Sequence, residues 1–497
     1  MALNFDKSNP LRLRAILKFL LILLLIAPYF LVNVHANVHA NPVLEDPTLS
    51  AKIVTQGLTS PTSMAFLNRN EILVLEKDEG KVLRIIHGSI SKDPVLTLDV
   101  NHHKERGLLG IVLPNNIGGD EGDKESVHKY VYLFYTEPRY SGKGTEICKK
   151  QQCEEEQFNN RLYRYEYKNN KLVNSKLLVD IPIYWNNRVY PSLYSEIIHG
   201  GHNWSSYPIR EGVHQGGSLV MDNDNNIYLI TGDGGACHTP DGCYRSVNNG
   251  YLSTQTANKK DGNLPIGMGG ILRVTDNGKP VNDKGIVGDG NPLNYYYAYG
   301  IRNSFGMDFD PVTGKLWDTE NGPHYGDEIN LVEPGFNSGW AKIQGIWPLA
   351  NYTELQDNAT TKGYTSTSPP LAHNDLEDFG GKGLYSDPEF TWNASVGVTS
   401  IKFLNTDKLG KQYENDVLVG DALGRIYHFD LNKNRTQLDL NGTLQDKVAN
   451  SESELQDAIF GQGFNTVTDM EVGPDGYLYL LSYSGIIYKI SPKVVND

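Results

Sequence analysis

The chain has 497 residues and a formal charge of −14, from 59 acidic and 45 basic side chains. That balance argues against a nucleic-acid partner, because phosphate binding needs clustered Lys and Arg. With 39% hydrophobic residues, 50 Gly and 29 Tyr, the composition excludes a disordered chain and allows two or three average domains or one large all-β fold.

Lys7, Arg12, Arg14 and Lys18 precede an apolar run from Phe19 to Val32, followed by Val34-His35-Ala36 and Val38-His39-Ala40. A basic flank, a short apolar core and a small-residue end form a secretory signal. An uncleaved membrane anchor is the alternative, since the run approaches the ~20 residues that span a bilayer. Residues 1–40 are therefore expected to be a signal or anchor, and residues 41–497 a single domain, extracellular or on the cell surface. Cys148 and Cys153 sit close together in a polar stretch, as do Cys237 and Cys243. With His238 the only histidine beside them, two local disulfides are expected rather than a metal site. Acceptor triplets for glycosylation begin at Asn203, Asn351, Asn358, Asn393, Asn434 and Asn441.

Beyond the leader, alternation of apolar and polar residues between Gly, Asn and Asp turns predicts strands. One unit recurs six times: an entry residue, a strand, a turn, a second strand and a third. The units start at Pro61 (PTSMAFLNRNEILVLEKDEGKVLRII), Gly107 (GLLGIVLPNN, then YVYLFYTE and NRLYRYEY) and His214 (HQGGSLVMDNDNNIYLITGDGG, then GGILRVT). The others start at Ile301 (IRNSFGMDFDPVTGKLWDTENG, then DEINLV), Val398 (VTSIKFL, then NDVLVGDALGRIYHFDL) and Val467 (VTDMEVGPDGYLYLLSYSGIIYKI). Radial repetition of this kind predicts a six-bladed β-propeller, with Ala51 to Leu58 pairing into the last blade. The stretches Glu137 to Asn159, Lys168 to Val213 and Ala341 to Val396 read as long loop insertions crowding one rim.

The motif scan is mostly negative. Gly267-Met268-Gly269 lacks the last glycine of a dinucleotide fingerprint, since Leu272 stands there. Asp222 to Asn226 begins like a calcium loop but has neither its glycine nor its final glutamate, and reads as a hairpin turn. Three segments at unit starts could carry chemistry. His214 could take a proton from a hydroxyl at neutral pH. Arg302-Asn303 offers a planar cationic fork and an amide to an anionic or carbonyl-bearing ligand. The run Glu320 to Glu328 joins a Gly322-Pro323 turn to Asp327 and Glu328, hard oxygen donors that suit Ca²⁺.

Taken together, ERGLLGI at Glu105, HQGG…IYLITGDGG at His214, YGIRNSFGMDFDPVTGKLW at Tyr299 and ENGPHYGDEINLVEPGFNSGW at Glu320 resemble the soluble pyrroloquinoline-quinone (PQQ) dependent glucose and aldose sugar dehydrogenases, the glucose/sorbosone dehydrogenase family. The resemblance implies a six-bladed propeller holding PQQ and calcium on its axis, a small sugar substrate and an external electron acceptor. It implies that His214 is the general base, that Arg302 contacts cofactor and substrate, and that Asn303 contacts the cofactor. It further implies that Glu105 lies near the substrate, that the carbonyls of Gly322 and Pro323 bind calcium beside the quinone, and that Glu328 and the Ser338 carbonyl bind a structural calcium. Three cations of the glucose-oxidising members have no counterpart: the fifth unit reads Gly420-Asp421-Ala422-Leu423-Gly424 without a Lys, and Thr466 and Thr468 stand where two arginines would. Two readings follow, a sugar dehydrogenase and a cofactor-free, calcium-stabilised propeller that binds a glycan or protein.

Overall fold

A computed structural model describes residues 42–114, 129–138, 158–183, 213–235, 254–348 and 375–493. The expected leader, all four cysteines and the acceptors Asn203, Asn351 and Asn358 lie outside the described residues. Among the described residues the helical elements are short 3₁₀ turns, and no helix is long and apolar enough to cross a membrane.

The strands assemble sheet by sheet in chain order. The first, β1 (Leu49–Gln56), is set aside for the last sheet. Strands β2 (Pro61–Asn68), β3 (Glu71–Glu76) and β4 (Lys81–Ile86) form one sheet, with two short strands at its edge. The next contains β5 (Leu108–Val112), β6 (Tyr130–Pro138), β7 (Phe158–Lys168) and β8 (Lys171–Ile183). Then come β9 (Leu219–Met221), β10 (Ile227–Thr231), β11 (Gly270–Val274) and β12 (Tyr296–Tyr299). They are followed by β13 (Ser304–Phe309), β14 (Leu316–Glu320), β15 (Asp327–Val332) and β16 (Phe390–Trp392). A further sheet holds β17 (Val398–Phe403), β18 (Val417–Asp421), β19 (Arg425–Phe429) and β20 (Ile459–Gln462). The last contains β21 (Val467–Val472), β22 (Leu478–Ser482) and β23 (Ile486–Pro492), completed by β1, with Ala51 opposite Ile490. Inner strands neighbour one another in the order β2, β5, β9, β13, β17, β21 and back to β2.

This is an all-β propeller, but not the ring of six like units that the repeat predicts. Several sheets borrow strands from elsewhere in the chain: Val43–Leu44 pairs with β20 in the fifth, Val448–Ala449 pairs with β16 in the fourth, and the distant β1 completes the last. The outer strands β8 and β16 also correct the expected insertions, because both fall inside stretches read as loop. Along β8 the exposed polar run Asn174-Ser175-Lys176 interrupts the alternation, so the strand period is easily taken for loop. Asn393 is another correction. It is 6% exposed, and its backbone N–H donates to Ala449, so a glycan has no room there; Asn434 and Asn441 are exposed.

Each gap between consecutive sheets is filled by its own apolar cluster. Leu109, Phe134 and Leu162 meet Leu219 and Leu229 in one gap, while Trp317, Phe390 and Trp392 meet Val419 and Tyr427 in another. Full burial of such side chains stabilises the fold by about 1.5–3 kcal/mol each. The Asp222 hairpin forms as expected: its carboxylate accepts from the backbone N–H of Asp224 and Asn226 and links β9 to β10.

The antiparallel order decides where chemistry can sit. In each sheet the start of the inner strand and the turn after the second strand fall at the same end. Glu105, His214, Arg302 and Thr466 precede inner strands, and Asp233, Gly322 and Leu423 lie in those turns. All seven therefore share one mouth of the propeller.

Candidate functional site

His214 enters β9 with φ +56°, a left-handed conformation that is unfavourable for a side chain with a Cβ. Its ring is buried, and its Nδ1 lies 2.6 Å from Asp233 Oδ1. A carboxylate can only accept, so the Nδ1 carries the proton and the basic lone pair is on Nε2. Gly235 N–H also donates to Asp233 Oδ1 at 2.8 Å, and Trp340 Nε1 donates to Oδ2 at 2.8 Å. Burial alone would raise the Asp233 carboxyl, but its contact with His214, the Arg302 charge and the Gly235 N–H outweigh burial and hold it below the usual carboxylate range.

Arg302 comes to the same place from the next sheet. Its carbonyl accepts from Asp233 N–H at 2.8 Å, its guanidinium lies 5.5 Å from the Trp340 ring centroid, and its Nη1 donates to the carbonyls of Asn321 (2.7 Å) and Gly322 (3.0 Å). This close approach depends on Gly232. A Cβ there would stand 2.3 Å from the His214 carbonyl oxygen and 3.0 Å from that of Arg302. Glu105 closes the group, accepting from Asn303 Nδ2 and Gln215 N–H at 3.3 Å each.

A second cluster lies beside it. Asp318, Glu320 and Glu328 sit on paired strands β14 and β15 and are all buried. Ser338 Oγ donates to Glu320 at 2.6 Å and to Glu328 at 3.2 Å. Among the described residues neither oxygen of Asp318 nor Asn330 Oδ1 meets a donor. Burial pushes the Asp318 carboxyl up to about 7, and burial with the Asp318 charge pushes Glu320 up to about 8. Buried carboxylates this crowded either keep a proton or pair with a cation. The set suits a hard divalent ion such as calcium, whose ligands are oxygens. Asp327 does other work: its carboxylate accepts from Gly322 N–H, Ser395 Oγ, Val396 N–H and Gly397 N–H, and so ties the Gly322-Pro323 turn to the strap before β17.

The structure therefore brings His214, Arg302, Asn303, Glu105 and Gly322 together at one mouth, and Glu328 with Ser338 beside it. Arg302 Nε and Asn303 Oδ1 are buried without a partner among the described residues, which suits a polar ligand between them. Among the described residues across the mouth, no cation takes the place of those missing. Arg425, one residue beyond the Ala422-Leu423-Gly424 turn, is held by Asp421 at 2.9 Å and Glu452 at 2.8 Å, while Thr466 and Thr468 donate to the carbonyls of Ala422 and Leu481. Sequence reasoning missed Asp233 and Trp340. Both lie in quoted motifs, GDGG and NSGW, yet no local spacing joins them to His214.

Trp340→Phe keeps the ring beneath Arg302 and removes one donor from a buried carboxylate. We expect a loss of about 1–3 kcal/mol of stability, read by thermal denaturation.

Residues 202–489 match the family described as Glucose / Sorbosone dehydrogenase. Over 284 residues the chain is 30% identical to the aldose sugar dehydrogenase YliI of Escherichia coli (strain K12), covering 57% of this chain and 61% of that protein. Over 213 residues it is 30% identical to quinoprotein glucose dehydrogenase B of Acinetobacter calcoaceticus, covering 42% of this chain and 41% of that protein. The chain thus matches less than two thirds of the length of either enzyme. Among solved structures, the apo-form of the soluble aldose sugar dehydrogenase from Escherichia coli aligns with a TM-score of 0.59 at 21% identity, over 90% of this chain and 100% of that one. The PQQ-bound aldose sugar dehydrogenase from Streptomyces coelicolor aligns with a TM-score of 0.52 at 19% identity, over 91% and 100%. These two likenesses are of fold.

Proposed function

The chain belongs to the glucose/sorbosone dehydrogenase family, and from that premise we propose that it oxidises a hydroxyl of an aldose-type sugar outside the cytoplasm, with calcium-bound PQQ and an external electron acceptor. The observation that carries this reading is the 2.6 Å contact of His214 Nδ1 with Asp233, beside an Arg302 whose buried Nε meets no partner among the described residues. Bound PQQ with its calcium would supply the hydride-accepting carbonyl. The chain's own residues do the rest. His214 Nε2 takes the hydroxyl proton, and Asp233 stabilises the imidazolium that results and keeps the ring turned. Arg302 and Asn303 hold polar oxygens of cofactor and sugar, with Trp340 fixing the plane of the guanidinium. The carbonyls of Gly322 and Pro323 would hold the calcium, and Glu328 with the Ser338 carbonyl a structural one.

Purified protein mixed with micromolar PQQ and Ca²⁺ is expected to bind the cofactor by absorbance and calorimetry, and then to oxidise members of a sugar panel with an artificial acceptor. Failure to bind would sink the reading. A second reading, a calcium-stabilised propeller that binds a glycan or protein, is favoured by one observation: Arg425 is committed to Asp421 and Glu452, leaving a tricarboxylate fewer cations.

A further inference from the structure

At the end of the fifth sheet opposite the mouth, three side chains converge on one point. His428 is on β19, Asp416 just precedes β18, and Asp430 just follows β19. Strand pairing sets Leu418 opposite His428, so the flanking aspartates meet the ring at the open end of this hairpin. His428 Nε2 lies 3.0 Å from Asp416 Oδ2 and 3.6 Å from Asp430 Oδ1. The ring is fixed edge-on by Tyr413 at 5.1 Å and flanked by Phe460 at 6.5 Å.

A hydrogen-bonded His–Asp pair accounts for only part of this. One imidazole nitrogen carries at most one proton, so it cannot donate fully to two carboxylates that approach it together. Those carboxylates also face one another. Among the described residues no Lys or Arg pairs with either. An ion held tetrahedrally about 2.0–2.2 Å from each ligand would set ligand-to-ligand edges of about 3.3–3.6 Å. The 3.6 Å edge matches that, the 3.0 Å edge would open by a few tenths of an ångström, and all three ligand atoms lie within 4.8 Å of one another. Asp430 is 61% exposed at its side chain, so water can complete the coordination.

We propose that Asp416, His428 and Asp430 form a binding site for a divalent transition ion of the Zn²⁺ type, remote from the mouth and independent of the sugar-dehydrogenase reading. One imidazole with two carboxylates suits zinc better than calcium, whose ligands are oxygens. The ion would clamp β18 to β19 at the end where their ladder stops.

The test uses full-length protein stripped with chelator and then saturated with Ca²⁺, so that oxygen-rich sites are filled. Calorimetry with Zn²⁺ is expected to show one saturable site, weakened at least tenfold in His428→Gln and in Asp430→Asn. Zinc should raise the wild-type melting midpoint and leave that of either variant in place, while circular dichroism without zinc is the same for all three. Should His428→Gln fail to fold, the exposed Asp430→Asn decides. No saturable zinc binding, or binding that neither substitution weakens, overturns the site and leaves a plain His–Asp pair.

Discussion

Replacing His214 with alanine is expected to lower kcat by about 10²–10⁴-fold, the usual contribution of a positioned general base, while PQQ affinity changes little. Asp233→Asn should follow it closely. An amide in that position can donate to Nδ1, which would move the ring proton to Nε2 and remove the lone pair that the proposed base needs. Because the two residues act as one unit, the double variant should be barely worse than His214→Ala alone. Steady-state kcat and KM for the two single variants and the double, with cofactor binding measured separately, would check this. Losses that simply multiply would show that Asp233 does not act through His214.

Lys402→Met is expected to give the largest stability loss. Lys402 on β17 lies 3.4 Å from Asp308 of β13 and 2.9 Å from Glu471 of β21. Asp469 of β21 in turn accepts from Met64 N–H and Ser63 Oγ of β2. One ammonium thus offsets a group of carboxylates that stitch four inner strands together. Breaking a buried ion pair costs about 3–5 kcal/mol, and partial exposure of these side chains reduces the expected loss to about 2–3 kcal/mol, read as a fall in melting midpoint.

The same group sets a pH dependence. Burial and then Glu471 push the Asp469 carboxyl up to about 8. The folded protein therefore keeps a proton that the unfolded chain releases above about 4. Stability should fall as pH rises between those values, and should fall more steeply in Lys402→Met. Asp469→Asn should flatten the curve. A melting midpoint that rose from pH 5 to pH 8 in the wild type, with calcium held constant, would contradict this.

Much of the fold was legible because strand period and turn chemistry are local. PTSMAFLN and EILVLE alternate over a few residues, and Pro474-Asp475-Gly476 marks its own turn, where Gly476 has φ +79°. The pairing of the N-terminal strand with the last unit was also readable, since an unpaired seventh partner must close somewhere. The outer strands β8 and β16 were not: β8 carries an exposed polar run that looks like loop, and β16 is a buried strand of three residues, too short to show a period. In the site, His214, Arg302 and Asn303 stood out by their places at strand starts.

Their partners did not. Asp233 is 19 residues from His214 and Trp340 is 107 residues from Asp233, distances at which no periodicity survives. Glu328 was legible as a candidate calcium ligand, but Asp318 read as an ordinary polar position, and only pairing of β14 with β15 turns Asp318, Glu320 and Glu328 into one buried cluster. Arg425 read as a possible stand-in for missing cations until its contacts with Asp421 and Glu452 showed it taken. By itself, then, the sequence determined the class of fold and which residues stand at the mouth, because hydrophobic period and turn residues act over a few positions. Tertiary structure decided which of them touch, which proton sits on which nitrogen, and which charges remain to meet a ligand, because those depend on distances across sheets that share no local signal.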